Sequence, residues 1–182
     1  ELPITHRCVA DSSVHHPGHV CSAATGVGAS YLLNTDDPFN LSRFMAAQEG
    51  HYEDVVPEIA AGQKRSHWMW YIFPQVEGLA PSSMSRRYSI KSIDEAVAYL
   101  GHPLLGRRLL ECAEAVLGVQ GRSAAEIFGF PDYLKLRSCV TLFASLQPAN
   151  SVFQRILDRY YDGVADDKTL RILETLKEGA SS

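Results

Sequence analysis

The chain has 182 residues, of which 46% are apolar and 21% charged, and its net charge is −4. Such values suit one globular domain and exclude a wholly disordered chain, a collagen-like chain and a disulfide-dense miniprotein. No apolar run approaches the roughly 18 residues of a transmembrane helix, so a soluble, cytoplasmic protein without a membrane partner is expected.

Residues 1–38 differ from the rest. They hold four of the seven histidines and many Ser, Gly and Ala residues, without sustained periodicity. This composition predicts a poorly ordered N-terminal extension or linker. His6, Cys8, His15, His16, His19 and Cys21 follow no zinc-finger spacing, so no metal is expected. Gly26-Val27-Gly28 opens like a dinucleotide fingerprint, but Tyr31 stands where its third glycine should be. No cofactor is expected.

From Pro38 onward the pattern is helical. Asn40 is the expected cap of a first helix through Glu49. A second spans His51 to Ala61 and stops at Gly62, with Pro57 predicting a kink or break near Val56. The stretch Ser66–Phe73 reads as a buried helix or strand, closed by Pro74. Ser92-Ile93-Asp94-Glu95 is a capping box that opens a helix through Leu100. Gly101 and Pro103 separate it from a helix reaching Leu117, whose Leu105, Leu109, Cys112, Ala113, Val116 and Leu117 share one face. Ser123-Ala124-Ala125-Glu126 is a second capping box. Asp132 is the expected cap of a long helix through Leu146, Ser151 of one through Tyr161, and Asp166 of one through Leu176. In that last helix Leu170, Leu173 and Leu176 mark the buried side. The expected fold is all-α: one domain over residues 39–178, an irregular bundle of seven or eight short helices.

The chemistry concentrates in Lys64-Arg65-Ser66-His67-Trp68-Met69-Trp70-Tyr71-Ile72-Phe73-Pro74-Gln75, which holds both tryptophans. It lies in a basic island, because residues 64–108 carry a net charge of +4 within an acidic chain. Cations fix a phosphate or carboxylate, aromatic faces stack on a planar group, and an imidazole moves protons near neutral pH. Further along, Asp132, Lys135, Ser138 and Cys139 recur at three- and four-residue spacing and form a polar stripe on one helix. The two groups together predict a pocket in which His67, Lys135 and Asp132 transfer protons. Gln48, Lys64, Ser66, Trp68, Trp70, Gln75, Tyr88 and Ser138 would bind the ligand. An anionic or nucleotide-like small molecule suits this set, with hydrolysis of a glycosidic or phosphate-linked bond as the reaction class. The alternative is a non-catalytic module whose basic surface docks an acidic protein. Nucleic acid is not expected, since the domain as a whole is not basic.

The segment 64–75 resembles the signature of the domain of unknown function 1810 family. Phe44-Met45-Ala46-Ala47-Gln48 with Tyr52 resembles its opening motif. His102-Pro103-Leu104-Leu105-Gly106-Arg107-Arg108-Leu109, Ile127-Phe128-Gly129 and Asp132-Tyr133-Leu134-Lys135-Leu136 follow in the family's order. The resemblance covers residues 39–176 and implies a small, mainly helical fold. It implies no activity.

Overall fold

The computed structural model describes residues 36–179, where glycines and helix caps divide the chain into ten helices with no strand among the described residues. The first four are α1 (Ser42–Gln48), α2 (Tyr52–Ala60), α3 (Met69–Ile72) and α4 (Ser83–Arg87). Next come α5 (Ile93–Gly101), α6 (Leu105–Gly118) and α7 (Ala124–Phe128). The last three are α8 (Asp132–Ala144), α9 (Val152–Tyr160) and α10 (Asp167–Gly179). One parallel bridge among the described residues, Val76 to Ile90, ties the two ends of the segment that carries α4. The expected N-terminal extension, with its histidines and cysteines, lies almost wholly outside the described residues.

Half of the helix starts carry a cap from the residue just before them. Ser123 and Glu126 cap α7 reciprocally, with Ser123 N donating to Glu126 Oε2 at 2.7 Å. Ser151 caps α9, and Asp166 Oδ2 accepts from the backbone N–H of Thr169 at the start of α10. Ser92 caps α5, but only half of the expected box forms. The Glu95 carboxylate turns to Lys91 N and Arg43 instead of Ser92.

Three expected starts or breaks differ. Asn40 does not cap α1: its φ of 51° reverses the chain, and Asp37 takes the orphan N–H groups of Leu41 and Ser42 at 2.7 and 2.9 Å. Asp132 is the first residue of α8 rather than its cap, because its carboxylate is engaged by lysines. Pro57 sits inside α2 without ending it. Pro57 and Glu53 are both exposed, so water can take the carbonyl that the proline leaves without a donor. Two further details change. In α10 the inward face is set by Thr169 and Leu173, four residues apart, while Leu170 is 37% exposed. The helix α4 lies where the sequence pattern predicts no element; Ser82 Oγ caps it by accepting from Ser85 N.

Helix α8 lies at the centre. From Ser138 to Phe143 every residue is buried, so the helix is covered on all sides by neighbours that include α9, α10, α7, α5 and α3. With its Phe143 gather Trp68, Tyr99, Phe44, Phe73 and Phe153, all fully buried. Phe44 meets Tyr99 edge-on at 4.9 Å between ring centroids, and Phe143 meets Phe153 at 5.5 Å. The predicted apolar face of α6 is buried as expected, Cys112 included. No helix among the described residues is long and apolar enough to cross a membrane.

The corner between α5 and α6 depends on the absence of a side chain. A Cβ at Gly106 would stand 1.9 Å from the Leu100 carbonyl oxygen, which belongs to the preceding helix and cannot swing aside. His102 completes the corner: its Nδ1 accepts from the N–H groups of Leu104 and Leu105 at 3.2 Å each. Gly106→Ala is therefore expected to lower the unfolding free energy by about 2–3 kcal/mol. Urea denaturation followed by far-UV circular dichroism checks this, and an unchanged midpoint would show that the corner opens freely.

Candidate functional site

Gly62, at φ +66°, turns the chain back after α2, and Lys64 N then donates to the Ile127 carbonyl at 2.7 Å. The returning segment is gathered by one carboxylate. Glu58 Oε2 accepts from Arg65 N at 2.8 Å, Ser66 N at 3.1 Å and Trp68 Nε1 at 2.8 Å. Glu58 Oε1 accepts from Ser66 Oγ at 2.6 Å. Partial burial pushes this carboxyl up, but the donors from Ser66, Arg65 and Trp68 outweigh it and hold the pKa at about 2. Glu58 thus shapes the segment, and no motif or spacing in the sequence marked it.

Held this way, the segment meets the start of α8. Lys64 Nζ lies 2.6 Å from Asp132 Oδ2, and Lys135 Nζ lies 2.7 Å from Asp132 Oδ1. Lys64 stands over the Trp68 ring at 5.1 Å, and Lys135 over the Trp70 ring at 4.1 Å. The side chains of Lys64, Asp132 and Lys135 are 7%, 15% and 16% exposed. Burial raises the Asp132 carboxyl, but its hydrogen bonds to Lys135 and Lys64 prevail, so it titrates below its ordinary range. Two ammonium groups on one carboxylate leave the cluster with one positive charge in excess.

The family model DUF1810, described as a protein of unknown function, matches residues 38–173. The chain belongs to the DUF1810 family. The match includes Glu58, the aromatic segment and the whole of α8. A solved structure, that of the conserved hypothetical protein Rv1873 from Mycobacterium tuberculosis, is 53% identical, with a TM-score of 0.74. The alignment covers 76% of this chain and 99% of that one. No curated protein matches the chain.

Within this DUF1810 domain the expected site residues separate into groups. Lys64, Trp68, Trp70, Asp132 and Lys135 come together in the ion cluster. Ser66 is bound to Glu58. The imidazole of His67 is exposed, and no hydrogen bond, ion pair or ring contact joins it to another described residue. Gln75 is half-buried, and its carbonyl accepts from Ile90 N. Three residues expected at the ligand are core elements. Gln48 is 1% exposed; its Nε2 donates to the Tyr71 carbonyl at 2.8 Å, and its Oε1 accepts from Arg108 Nη1 at 3.1 Å. Tyr88 packs between the Phe44 and Tyr71 rings at 5.9 and 5.6 Å. Ser138 bonds back to the Leu134 carbonyl within α8. A cavity of about 780 Å³ lies elsewhere, where Val56 of α2 faces Leu100, His102 and Leu110 at the α5–α6 corner, and none of the expected site residues lines it. No group of three metal-ligating side chains occurs among the described residues.

Glu58→Gln keeps the shape of the side chain and removes its charge. Because the folded pKa is lowered from 4.5 to about 2, the carboxylate contributes stability in full above pH 4.5 and loses it as pH falls toward 2. The variant is expected to lose about 1–2 kcal/mol at pH 7 and to show a flatter acid limb between those values. Acid titration followed by tryptophan fluorescence reads both, and identical acid limbs would remove Glu58 from this role.

Proposed function

We propose that the Lys64–Asp132–Lys135 corner binds an anionic small molecule bearing a planar group, of the nucleotide-like or phosphorylated class. The observation that carries this reading is the shared carboxylate: two partly buried ammonium groups on Asp132 keep one uncompensated positive charge beside half-buried Trp70. At equal distances, attraction of a phosphate to two cations exceeds its repulsion from one carboxylate. Partial burial strengthens that difference, since a unit interaction at ~4 Å rises from ~1 kcal/mol in water to ~4 kcal/mol at a protein surface. The half-buried Trp70 indole carries Lys135 over one face, and its exposed part is left for contact with a base or other ring.

Binding is the part of the reading that the geometry supports. Hydrolysis of a phosphate-linked or glycosidic bond would need a proton carrier, and His67 is the exposed imidazole on the same segment. No described group orients it, and Asp132 and Lys135 are already bound to each other. The binding reading therefore stands without a catalytic step.

A thermal-shift titration of the full chain with AMP, ADP, ribose 5-phosphate and pyrophosphate tests it. At ~100 times its dissociation constant a ligand adds ~2.7 kcal/mol of stability, a clear rise in Tm. The rise is expected to saturate, to quench Trp70 fluorescence and to be lost in Lys64→Ala. No saturable response to any of the four compounds would refute the reading and favour docking of an acidic protein surface.

A further inference from the structure

Arg108, on α6, is a partly buried cation that forms no ion pair with a described residue. Its Nη1 donates to Gln48 Oε1 at 3.1 Å, its guanidinium carbon lies 4.3 Å from the centroid of the Tyr52 ring, and no carboxylate pairs with it among the described residues. Of the five N–H donors of a guanidinium, this is the one that bonds to another described residue. The Nε–H is buried without a partner among the described residues. Nη2 forms no hydrogen bond with another described residue, and it is not among the fully enclosed unpaired atoms. Other arginines of the domain are satisfied internally. Arg137 donates to the carbonyls of Val164 and Ala165, and Arg159 to those of Leu117 and Val119.

The groups packed around Arg108 do not compensate it. Tyr52, Tyr99 and Cys112 are its ionisable neighbours, and burial raises the pKa of each, so all three are neutral at pH 7. Glu111 is one turn along α6, and its carboxylate, bound to the same Tyr52, forms no ion pair with Arg108. Oε2 accepts from the Tyr52 hydroxyl at 2.5 Å, and Oε1 faces Arg107 at 3.5 Å. An arginine stacked on a ring and fixed by a buried amide is held ready, with little freedom left to lose on pairing. Unsatisfied buried donors are rare in native proteins and call for a partner.

We propose that Arg108 anchors an oxyanion site at the junction of α1, α2 and α6, which receives the carboxylate or phosphate of a small molecule. Gln48 and Tyr52 position the guanidinium, and the anion meets it from the Nη2 side. This site does not use the Lys64–Asp132–Lys135 cluster. It gives a role to Gln48 and Tyr52 of the opening motif and to Arg108 of the later one.

The test is a titration of arginine-labelled full-length protein with inorganic phosphate and, separately, with malonate at fixed ionic strength, followed by NMR. The Arg108 Nε–Hε signal, assigned by its absence in Arg108→Lys, is expected to shift saturably. Backbone amide shifts near Tyr52 are expected to show at least tenfold weaker binding in Arg108→Lys and unchanged binding in Lys64→Gln. A response to one probe alone identifies which oxyanion the site takes. A native signal that moves no more than it does with chloride overturns the proposal. So does equal affinity in a folded Arg108→Lys protein, or loss of binding in Lys64→Gln.

Discussion

A helix of four residues cannot satisfy its own backbone, yet α3 is wedged among α1, α6 and α8. Side chains from elsewhere complete it. The Gln48 amide takes the Tyr71 carbonyl, and the Tyr99 hydroxyl reaches the same oxygen at 3.3 Å. Glu58 collects the donors of the segment that leads into α3. Much follows from this arrangement. Trp68 is fixed in the core against Phe73 and Phe128, and Trp70 is left at the edge, where Lys135 covers it. The same amide that satisfies Tyr71 also holds Arg108. Core packing and the two cationic positions therefore share their supports.

What the sequence made legible is what is decided within a few residues. The caps at Ser92, Ser123, Ser151 and Asp166 and the buried face of α6 were readable because each rests on neighbours along one helix. Asp37, Glu58 and His102 were not. Each satisfies backbone donors from outside the expected position, through a chain reversal or a loop that only the fold creates. Asp132 shows the same limit from the other side. An acid at the start of a helix reads as a cap, but Lys64 arrives from a distant part of the chain and claims the carboxylate. Gln48, Tyr88 and Ser138 read as ligand contacts because polar atoms among apolar residues suit a site. Here those atoms close gaps in the core.

The basic island is also a feature of the linear sequence more than of the fold. Lys64 pairs with Asp132, Arg107 with Glu111, and Arg86 with the Pro81 carbonyl, while Arg87 lies over the Tyr88 ring. Neighbours in sequence thereby acquire different environments. Arg107 and Arg108 are adjacent, yet one is 63% exposed in a surface ion pair and the other is tucked beneath an aromatic ring. Surface pairs of the first kind contribute little, whereas a cation with no counter-charge creates a local field that the protein must tolerate or use. Counting charges along the chain does not distinguish the two.

The free thiols of Cys112 and Cys139 sit in α6 and α8, both fully enclosed. Burial raises the Cys139 pKa well above the usual thiol value and pushes Cys112 up to about 12. Since a thiolate is the species that reacts, neither is open to alkylating reagents or mild oxidants while the helices stay closed. Modification of either sulfur requires the surrounding core to part first. The domain thus carries two internal clocks, one in each of two long helices, whose labelling rates report how often those helices open.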